Sequence, residues 1–507
     1  MRLDILLSHL DCIVLCPSVN EDIEVTGIEY DSRQVRPGNV FCAIKGEHFD
    51  GHDFVQQATD RGCCAVVSEQ PLKASVPVIQ VEDSRLAMAQ LSKPFYGFPI
   101  ESMQIIGVTA SNGKTTTSFM IDNILSAHLD RTGLIGTVVV KDGPTVVDAG
   151  LTTPHSRDLF KILQQMAKNG CSHVTMEVSS AGLELHRVEG VDFNIGTFNN
   201  VSREHIDFHG TFENYWYQKS SFITKLSSQA TAVLNADDEL VASLQEETAA
   251  PTVTYSLKGK PASVTIRDLD LSTGRGRFVL DIRAPLPVQF IPLELKVLGL
   301  HNVYNATVAV IVALLCQVPA PVIQRALGRF GGVERRFELI YDGPYKVIDD
   351  HFANAGNIDI TLETLKMMDY RQLVLLVAIR GNRGPTVNRE NAETIVKWLD
   401  KLDLKELIVT ESLGCVGEND TVSPEEKEAF LSLLDREGVK YKLVEPLEGA
   451  IGLSLENISP GDVMLLAGCQ GMDCAAHIIL PKIAANLPEN SQKEVLELLK
   501  NRVAGSS

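Results

Sequence analysis

Short apolar runs alternate with longer helical stretches along most of this chain, and that alternation predicts its architecture. Ile23-Glu-Val-Thr-Gly-Ile-Glu-Tyr30, Val40-Phe-Cys-Ala-Ile44 and Cys64-Ala-Val-Val67 read as strands, with a turn over Asp31–Gly38 and a helix running to Arg61. The turn-forming stretch Leu91-Ser-Lys-Pro-Phe-Tyr-Gly-Phe-Pro99 is expected to close this first region. Beyond it, Ile105-Ile106, Val174–Ser179 and Ala232–Asn235 are strand-like, and Ser156–Lys168 is helical. Strands and helices in this order predict a mostly parallel sheet with helices on both faces. Over residues 252–296 the pattern changes to strict alternation, as in Val264-Thr-Ile-Arg267 and Arg277–Arg283, which predicts antiparallel hairpins. Leu373–Ile379, Glu406–Thr410 and Val463–Ala467 restore the strand–helix order, and 484–507 reads as an amphipathic helix with a polar tail.

The expected fold is α/β in three domains. A small α/β N-terminal domain covers 1–99, a central domain with a phosphate loop and a doubly wound, mostly parallel sheet covers 100–330, and a C-terminal Rossmann-like sheet covers 331–507. The length of 507 residues agrees, being too great for one hydrophobic core.

Composition narrows the function. With 44% hydrophobic and 22% charged residues the chain is in the globular range. A formal charge of −19, with no long Lys/Arg block, argues against nucleic acid or an anionic membrane as partner. The N-terminal Met1-Arg-Leu-Asp4 segment lacks the pattern of a secretory signal, and no apolar run has membrane-spanning length, so a cytoplasmic location is expected. The ten cysteines lack zinc spacings and are expected to be free thiols.

The stretch that organises the chain chemically is Gly107-Val-Thr-Ala-Ser-Asn-Gly-Lys-Thr-Thr-Thr117. It joins a strand to a helix through small residues. Backbone N–H groups from Thr109, Ser111, Asn112, Gly113 and Thr116 can approach phosphate oxygens there. The helix N-terminus favours anions, Lys114 adds a positive charge, and the Thr115 hydroxyl can hold Mg2+. ATP or a similar nucleotide is the expected ligand. Position 108 is Val where the general phosphate loop has Gly, so the motif alone also fits a surface turn. Glu177, at the end of an apolar strand, is placed to bind Mg2+, and His205 is a candidate second ligand. By residue type alone, Lys219 is a helix-face lysine and His205 equally a structural histidine.

Asp31-Ser-Arg33, Pro37-Gly38, Lys45-Gly46 and Phe49-Asp-Gly-His52, in that order, resemble the first domain of the MurE branch of the Mur ligases, ATP-dependent amino-acid ligases of peptidoglycan synthesis. The resemblance implies that Ser32 contacts the uridine diphosphate of the substrate, although Ser32 also suits a turn cap. Ser202-Arg-Glu-His-Ile-Asp-Phe-His-Gly210 resembles a family segment whose first histidine contacts a metal, which implies the same for His205. The lysine matching Lys219 is carbamylated in the family and supports a second Mg2+. Leu151-Thr-Thr-Pro154 and Leu185-His-Arg-Val188 match segments that hold pyrophosphate and muramoyl-dipeptide, which implies substrate roles for Thr152, Thr153, Ser179 and Arg187. Asn235 and Asn302 fall in segments that frame adenine, or by residue type in Asn-rich turns. Arg336 matches an arginine that meets the γ-phosphate, and Asp350 a carboxylate near the nucleotide.

The likeness is strong over residues 20–310 and thin beyond. Ala110-Ser111 replaces Gly-Thr, and Ala181 stands where a histidine is usual. Asp350-His-Phe-Ala-Asn-Ala355 replaces Asp-Tyr-Ala-His-Thr-Pro, and Gly468-Cys-Gln-Gly-Met-Asp473 replaces Gly-Lys-Gly-His-Glu. Enzymes that add diaminopimelate carry Asp-Asn-Pro-Arg where this chain has Glu411-Ser-Leu-Gly-Cys415. Without that arginine the bidentate clamp for a distal carboxylate is missing, so diaminopimelate is not the expected amine. The resemblance therefore implies a monomeric ligase using ATP and Mg2+ to join an amino acid to UDP-N-acetylmuramoyl-L-alanyl-D-glutamate. The alternatives are a Mur-like amide ligase acting on another acid or amine outside the cell wall, and a weakly catalytic homologue that binds the UDP-sugar.

Overall fold

The structure, a computed structural model, describes residues 1–11, 13–15, 22–46, 49–97, 102–202, 206–500 and 502, without the side chains of Ile206 and Asp207. It is α/β, with its three regions of sheet in the predicted order. Two compact units account for the chain: Met1–Ala110, Leu125–Val201 and His205–Thr254 form the first, and Ser111–Ile124, Ser202–Glu204 and Tyr255–Ser507 the second.

The first unit begins with a five-stranded sheet ordered Ile13–Leu15, Val78–Val81, Ala65–Ser68, Asn39–Cys42, Gly27–Glu29. Its last four strands are parallel, and Ile13–Leu15 is antiparallel to its neighbour. Side chains of Asn39–Cys42 alternate between two cores. Val40 and Cys42 join Leu3, Ile28 and Ile79 on one face, while Phe41 joins Val35, Val55 and Val66 on the other. The stretch expected to end this region as a turn is instead helix: Ser84–Tyr96 continues through Pro94 to a C-cap at Gly97. Burial of Met88, Leu91 and Tyr96 against the sheet core outweighs the hydrogen bond that Pro94 cannot donate. The strand expected over Ile23–Tyr30 shortens to Gly27–Glu29.

The same unit holds the strands Thr231–Asn235, Ile195–Phe198, Gln104–Thr109, His173–Glu177, Thr132–Ile135, Val139–Asp142 and Val146–Asp148, in that spatial order. The first five are parallel. Gln104–Thr109, central and apolar, is paired on both sides, with Glu177 in register with Val108 and Phe198 with Thr109.

In the second unit Val264–Asp270, Arg275–Ile282 and Gln289–Leu298 form the expected antiparallel meander. The preceding Tyr255-Ser256 pairs with Val264-Thr265 in parallel, so the hairpin pattern does not extend to it. A six-stranded sheet follows, ordered Glu338–Asp342, Lys346–Asp350, Val463–Ala467, Leu373–Ala378, Leu404–Thr410, Lys442–Leu443, with every pair but the first parallel. Leu373–Ala378 is buried throughout because helices cover both faces: Leu373, Leu375 and Val377 enter one core, Val374, Leu376 and Ala378 the other. The terminal amphipathic helix is Glu489–Glu497. Among the described residues no helix is long and apolar enough to cross a membrane.

A buried ionic network that sequence patterning does not reveal ties the chain end to this sheet. Arg502 donates to Asp349 Oδ2 at 2.8 Å and to Glu338 Oε1 at 2.9 Å, and Arg335 Nε donates to Asp349 Oδ1 at 3.3 Å. Arg335 also pairs with Asp473 and with the Gly468 carbonyl. Removing one cation leaves buried carboxylates short of charge. Arg502→Ala is expected to destabilise the second unit by roughly 3 kcal/mol. Urea unfolding read by hydrogen exchange over Lys346–Asp350 checks this, and an unchanged midpoint contradicts it.

Candidate active site

The residues singled out by sequence lie in both units. In the second unit, Ser111–Gly113 leads into the helix Lys114–Ser126. Gly113 takes φ +90°, the left-handed region that side chains rarely adopt. A Cβ there would meet Asn305 Oδ1 at 2.5 Å, so the position excludes any side chain twice over. Asn305 Oδ1 also accepts from Thr117 Oγ1 at 3.1 Å, and Asn305 Nδ2 donates to Asn302 Oδ1 at 3.0 Å. Asn302 Nδ2 donates to the Leu298 carbonyl at 2.8 Å. Asn302, assigned to adenine by resemblance, thus braces the loop through Asn305, which lies in the same Gly299–Asn305 segment. Ser111 Oγ accepts from Ser202 N at 2.9 Å, and Asn112 pairs with Asn357. Lys114 Nζ donates to the Ser111 carbonyl at 3.0 Å, while Thr115 and Thr116 are largely buried in the first turn. A left-handed glycine, a lysine and a hydroxyl at the start of a thirteen-residue helix form a donor set that fits a polyphosphate.

In the first unit, Lys219 secures the end of the strand that feeds this loop. It is 1% exposed, and its Nζ donates to the Ala110 carbonyl at 2.7 Å and to Thr109 Oγ1 at 3.2 Å. The Tyr215 ring centroid lies 5.3 Å away. Thr109 Oγ1 in turn donates to the Val178 carbonyl at 2.8 Å. Asn235 Nδ2 donates to the Asn199 carbonyl at 2.8 Å and Asn235 Oδ1 accepts from Asp237 N at 2.9 Å, which is the Asn-turn arrangement.

Glu177 and the predicted substrate residues converge in this unit. Glu177 is fully buried; Oε1 accepts from Thr137 N and Oε2 from Thr137 Oγ1, both at 2.9 Å. Thr137 Oγ1 lies 3.1 Å from Thr152 Oγ1. Thr153 Oγ1 donates to the Glu177 carbonyl at 2.9 Å, accepts from Ser179 N at 3.0 Å, and lies 3.0 Å from Ser179 Oγ. Arg187 Nη1 donates to the Thr153 carbonyl at 3.0 Å, whereas its buried Nε has no hydrogen-bond partner among the described residues. Burial, with Arg85 beside it, lowers the pKa of Arg187, which is the electrostatic cost an anionic ligand would relieve. Sequence reading missed Thr137, Arg85 and His155, since none carries a motif and all three are brought in by folding.

Ser32 sits in the turn after Gly27–Glu29, largely buried, and donates to Gln57 Oε1 at 2.6 Å. His205 lies outside the described residues. Among the described residues no three His, Cys, Asp or Glu side chains gather as a metal-holding group.

Back in the second unit, Arg336 lies beside Asp350 and His351 and affects the titration of both. Asp350 Oδ1 accepts from Phe337 N at 2.7 Å, and its Oδ2 from Thr361 Oγ1. Burial raises the Asp350 pKa. Both oxygens are therefore engaged in shaping the start of the C-terminal sheet. His351 is held neutral, its pKa well below the ordinary value because of burial and then Arg336, Arg335 and Arg380.

Three family models match: the Mur ligase family catalytic domain over residues 24–96, the Mur ligase middle domain over 108–313, and the Mur ligase glutamate ligase domain over 335–470. A protein of Bacillus velezensis named UDP-N-acetylmuramoyl-L-alanyl-D-glutamate–2,6-diaminopimelate ligase is 35% identical over 479 residues, covering 92% of this chain and 94% of the relative. The chain belongs to the Mur ligase family, in its MurE branch. A relative of the same name from Geobacillus thermodenitrificans is 35% identical over 475 residues, with 92% and 94% covered. Among solved structures, one of the same name superposes with TM-score 0.67 at 24% identity, covering 92% and 93% of the two chains. MurF ligase from Thermotoga maritima in complex with ADP superposes with TM-score 0.63 at 20% identity, covering 94% and 100%.

Burial, with Arg187 and Arg85 nearby, pushes the pKa of His155 down to about 4 from its ordinary 6.5. The folded state therefore binds fewer protons than the unfolded one below neutrality. Stability from this group is complete above about 6.5 and is lost as pH falls toward 4, a loss on the order of 2 kcal/mol by pH 5. Melting at pH 7.5 and 5.0 should show a drop that His155→Gln reduces, and an equal drop in the variant contradicts the assignment.

Proposed function

We propose that this chain is an ATP-dependent, ADP-forming amide ligase of peptidoglycan precursor synthesis. In this reading it joins an amino acid to UDP-N-acetylmuramoyl-L-alanyl-D-glutamate through an acyl phosphate. The observation that carries it is the left-handed Gly113 opening the helix that begins at Lys114 and Thr115. Family membership over most of the chain supports the choice of acid and reaction.

The chemistry follows from making an amide in water. A carboxylate is a poor electrophile, so the acid is first phosphorylated by ATP and the amine then displaces phosphate. Lys114 and the loop N–H groups bind the terminal phosphates, with Arg336 as a further cation for the developing charge. Mg2+, when bound, neutralises charge on the transferring phosphoryl group. Thr115 and Glu177 are assigned to hold it, with His205 and Lys219 as the candidates from resemblance. As an ammonium, Lys219 fixes the end of the preceding strand through the Ala110 carbonyl, a contact that the single N–H of a carbamate can also make. Arg187, Thr152, Thr153 and Ser179 are assigned to the anionic muramoyl substrate, with Arg85 supplying additional positive charge, and Ser32 to its uridine diphosphate. Asn235 and Asn302 are assigned to the adenine side and Asp350 to supporting the nucleotide through the loop it shapes. Domain boundaries near residues 99 and 330 are part of this proposal, supported by family models that end at 96, span 108–313 and resume at 335. So are a cytoplasmic location and a monomeric state.

A specific feature favours an amine other than diaminopimelate. Glu411-Ser-Leu-Gly-Cys415, with Ser412 and Gly414 left-handed and no arginine among them, stands where the diaminopimelate-adding enzymes resembled here carry Asp-Asn-Pro-Arg. A thiol cannot form the bidentate contact of a guanidinium with a carboxylate.

ADP release measured with UDP-muramoyl-dipeptide and a panel of amino acids tests the reading, and turnover with at least one amine is expected. Lys114→Ala should lower that turnover by roughly 10³-fold with the melting temperature preserved. Retention of most activity contradicts the site, and no turnover with any amine contradicts the ligase reading.

A further inference from the structure

Two half-exposed thiols approach each other in the second unit, in loops that follow two strands separated by Leu373–Ala378 in the parallel sheet. Cys415 lies after the strand Leu404–Thr410, and Cys474 caps the helix Ala475–Ala484 that follows Val463–Ala467. Both are free cysteines, and both pack at the margin of one hydrophobic core.

The backbone holds these loops together. After Thr410 the chain turns sharply, with Ser412 at φ +58° and Gly414 at φ +87°, and Cys415 N donates to the Ser412 carbonyl at 3.1 Å. Leu413 N donates to the Glu445 carbonyl at 3.0 Å, which pins the turn from behind. The opposing loop passes so close that a Cβ on Gly471 would meet Ser412 Oγ at 2.8 Å. Cys474 Sγ lies 3.8 Å from the Cys415 carbonyl oxygen. A carbonyl oxygen is about 2.4 Å from its own Cα, so this sulfur is at most about 6 Å from Cys415 Cα, and rotation of the two side chains must bring the sulfurs together for the S–S bond. The two thiols also interact with each other directly.

We propose that Cys415 and Cys474 form a reversible disulfide that locks together the loops following Thr410 and Ala467. With a peroxide as oxidant, one thiolate attacks the O–O bond to give a sulfenic acid and water. The second thiol attacks that sulfur, forming the S–S bond and releasing a second water, so two electrons pass from the thiols to the peroxide. Cys469 is excluded from the pair. It is 2% exposed, and its thiol donates to the Phe352 carbonyl at 3.1 Å while lying 3.5 Å from His351 Nε2. Burial, with Cys474 and then Glu448 nearby, pushes the Cys415 thiol up to about 11, so Cys415 is protonated at neutral pH and the oxidation should quicken as pH rises. Ligands of parallel α/β sheets gather at strand carboxyl ends, so the bond would fix the loops where the proposed amine binds. Only that consequence rests on the ligase reading.

The full-length protein, treated with stoichiometric hydrogen peroxide and digested without reduction, gives the test. Mass spectrometry should show a peptide containing Cys415 linked to one containing Cys474, 2 Da lighter than their sum and separated by dithiothreitol. The link should persist in Cys469→Ser and vanish in Cys474→Ser. Hydrogen exchange in 411–415 and 468–474 should slow at least severalfold on oxidation and recover on reduction. Absence of the link in oxidised wild type, its persistence in Cys474→Ser, or its loss in Cys469→Ser overturns the proposal, whatever the ligation assay shows.

Discussion

The account depends on one backbone constraint, the left-handed turn at Gly113. The chain must pass from the buried strand Gln104–Thr109 into the helix beginning at Lys114 within four residues. Only a residue without a Cβ takes φ +90° cheaply there, and Asn305 fills the space a side chain would need. Once that turn is made, the first-turn N–H groups and the Lys114 and Thr115 side chains share one helix end. Asn302, Asn305, Asn357 and Ser202 brace it in the second unit, and Lys219 secures the preceding strand in the first. The loop is thus held in its unit by the buried amides of Asn302 and Asn305, by Asn357 and by the Ser111–Ser202 contact, hydrogen bonds that leave it little freedom.

Much of this was legible in the sequence because local signals and burial agree. Ser156–Lys168, the strand ending at Glu177, and Leu373–Ala378 appear where periodicity places them, since each buries its apolar face as the pattern demands. The helix through Pro94 was not legible: a proline and a glycine read as punctuation, while Met88, Leu91 and Tyr96 find their core only when the sheet is formed. The Arg502–Asp349–Arg335 network was hidden for a similar reason, since its charges are far apart in sequence and only the packed sheet desolvates them.

The substrate side shows the same division. Thr152, Thr153, Ser179 and Arg187, which the resemblance assigns to the substrate, carry motif positions and converge around Glu177. Thr137, which supplies two hydrogen bonds to Glu177, and Arg85, which adds to burial in lowering the pKa of Arg187, have no signature of their own. The C-terminal sheet keeps its parallel order while the loops at its strand ends carry Glu411–Cys415 and Gly468–Cys474 in place of the usual recognition residues. Framework and chemistry are separable here: buried alternation specifies the sheet, and under the proposed function a few loop positions select the amine.

Calorimetric titration of Mg-ATP into wild type and Gly113→Ala tests the central claim most directly. The alanine must either strain the turn or displace Asn305, so binding should weaken at least tenfold while the melting temperature shows the variant folded. Equal affinity in the two proteins would contradict the assignment of this loop to the nucleotide phosphates.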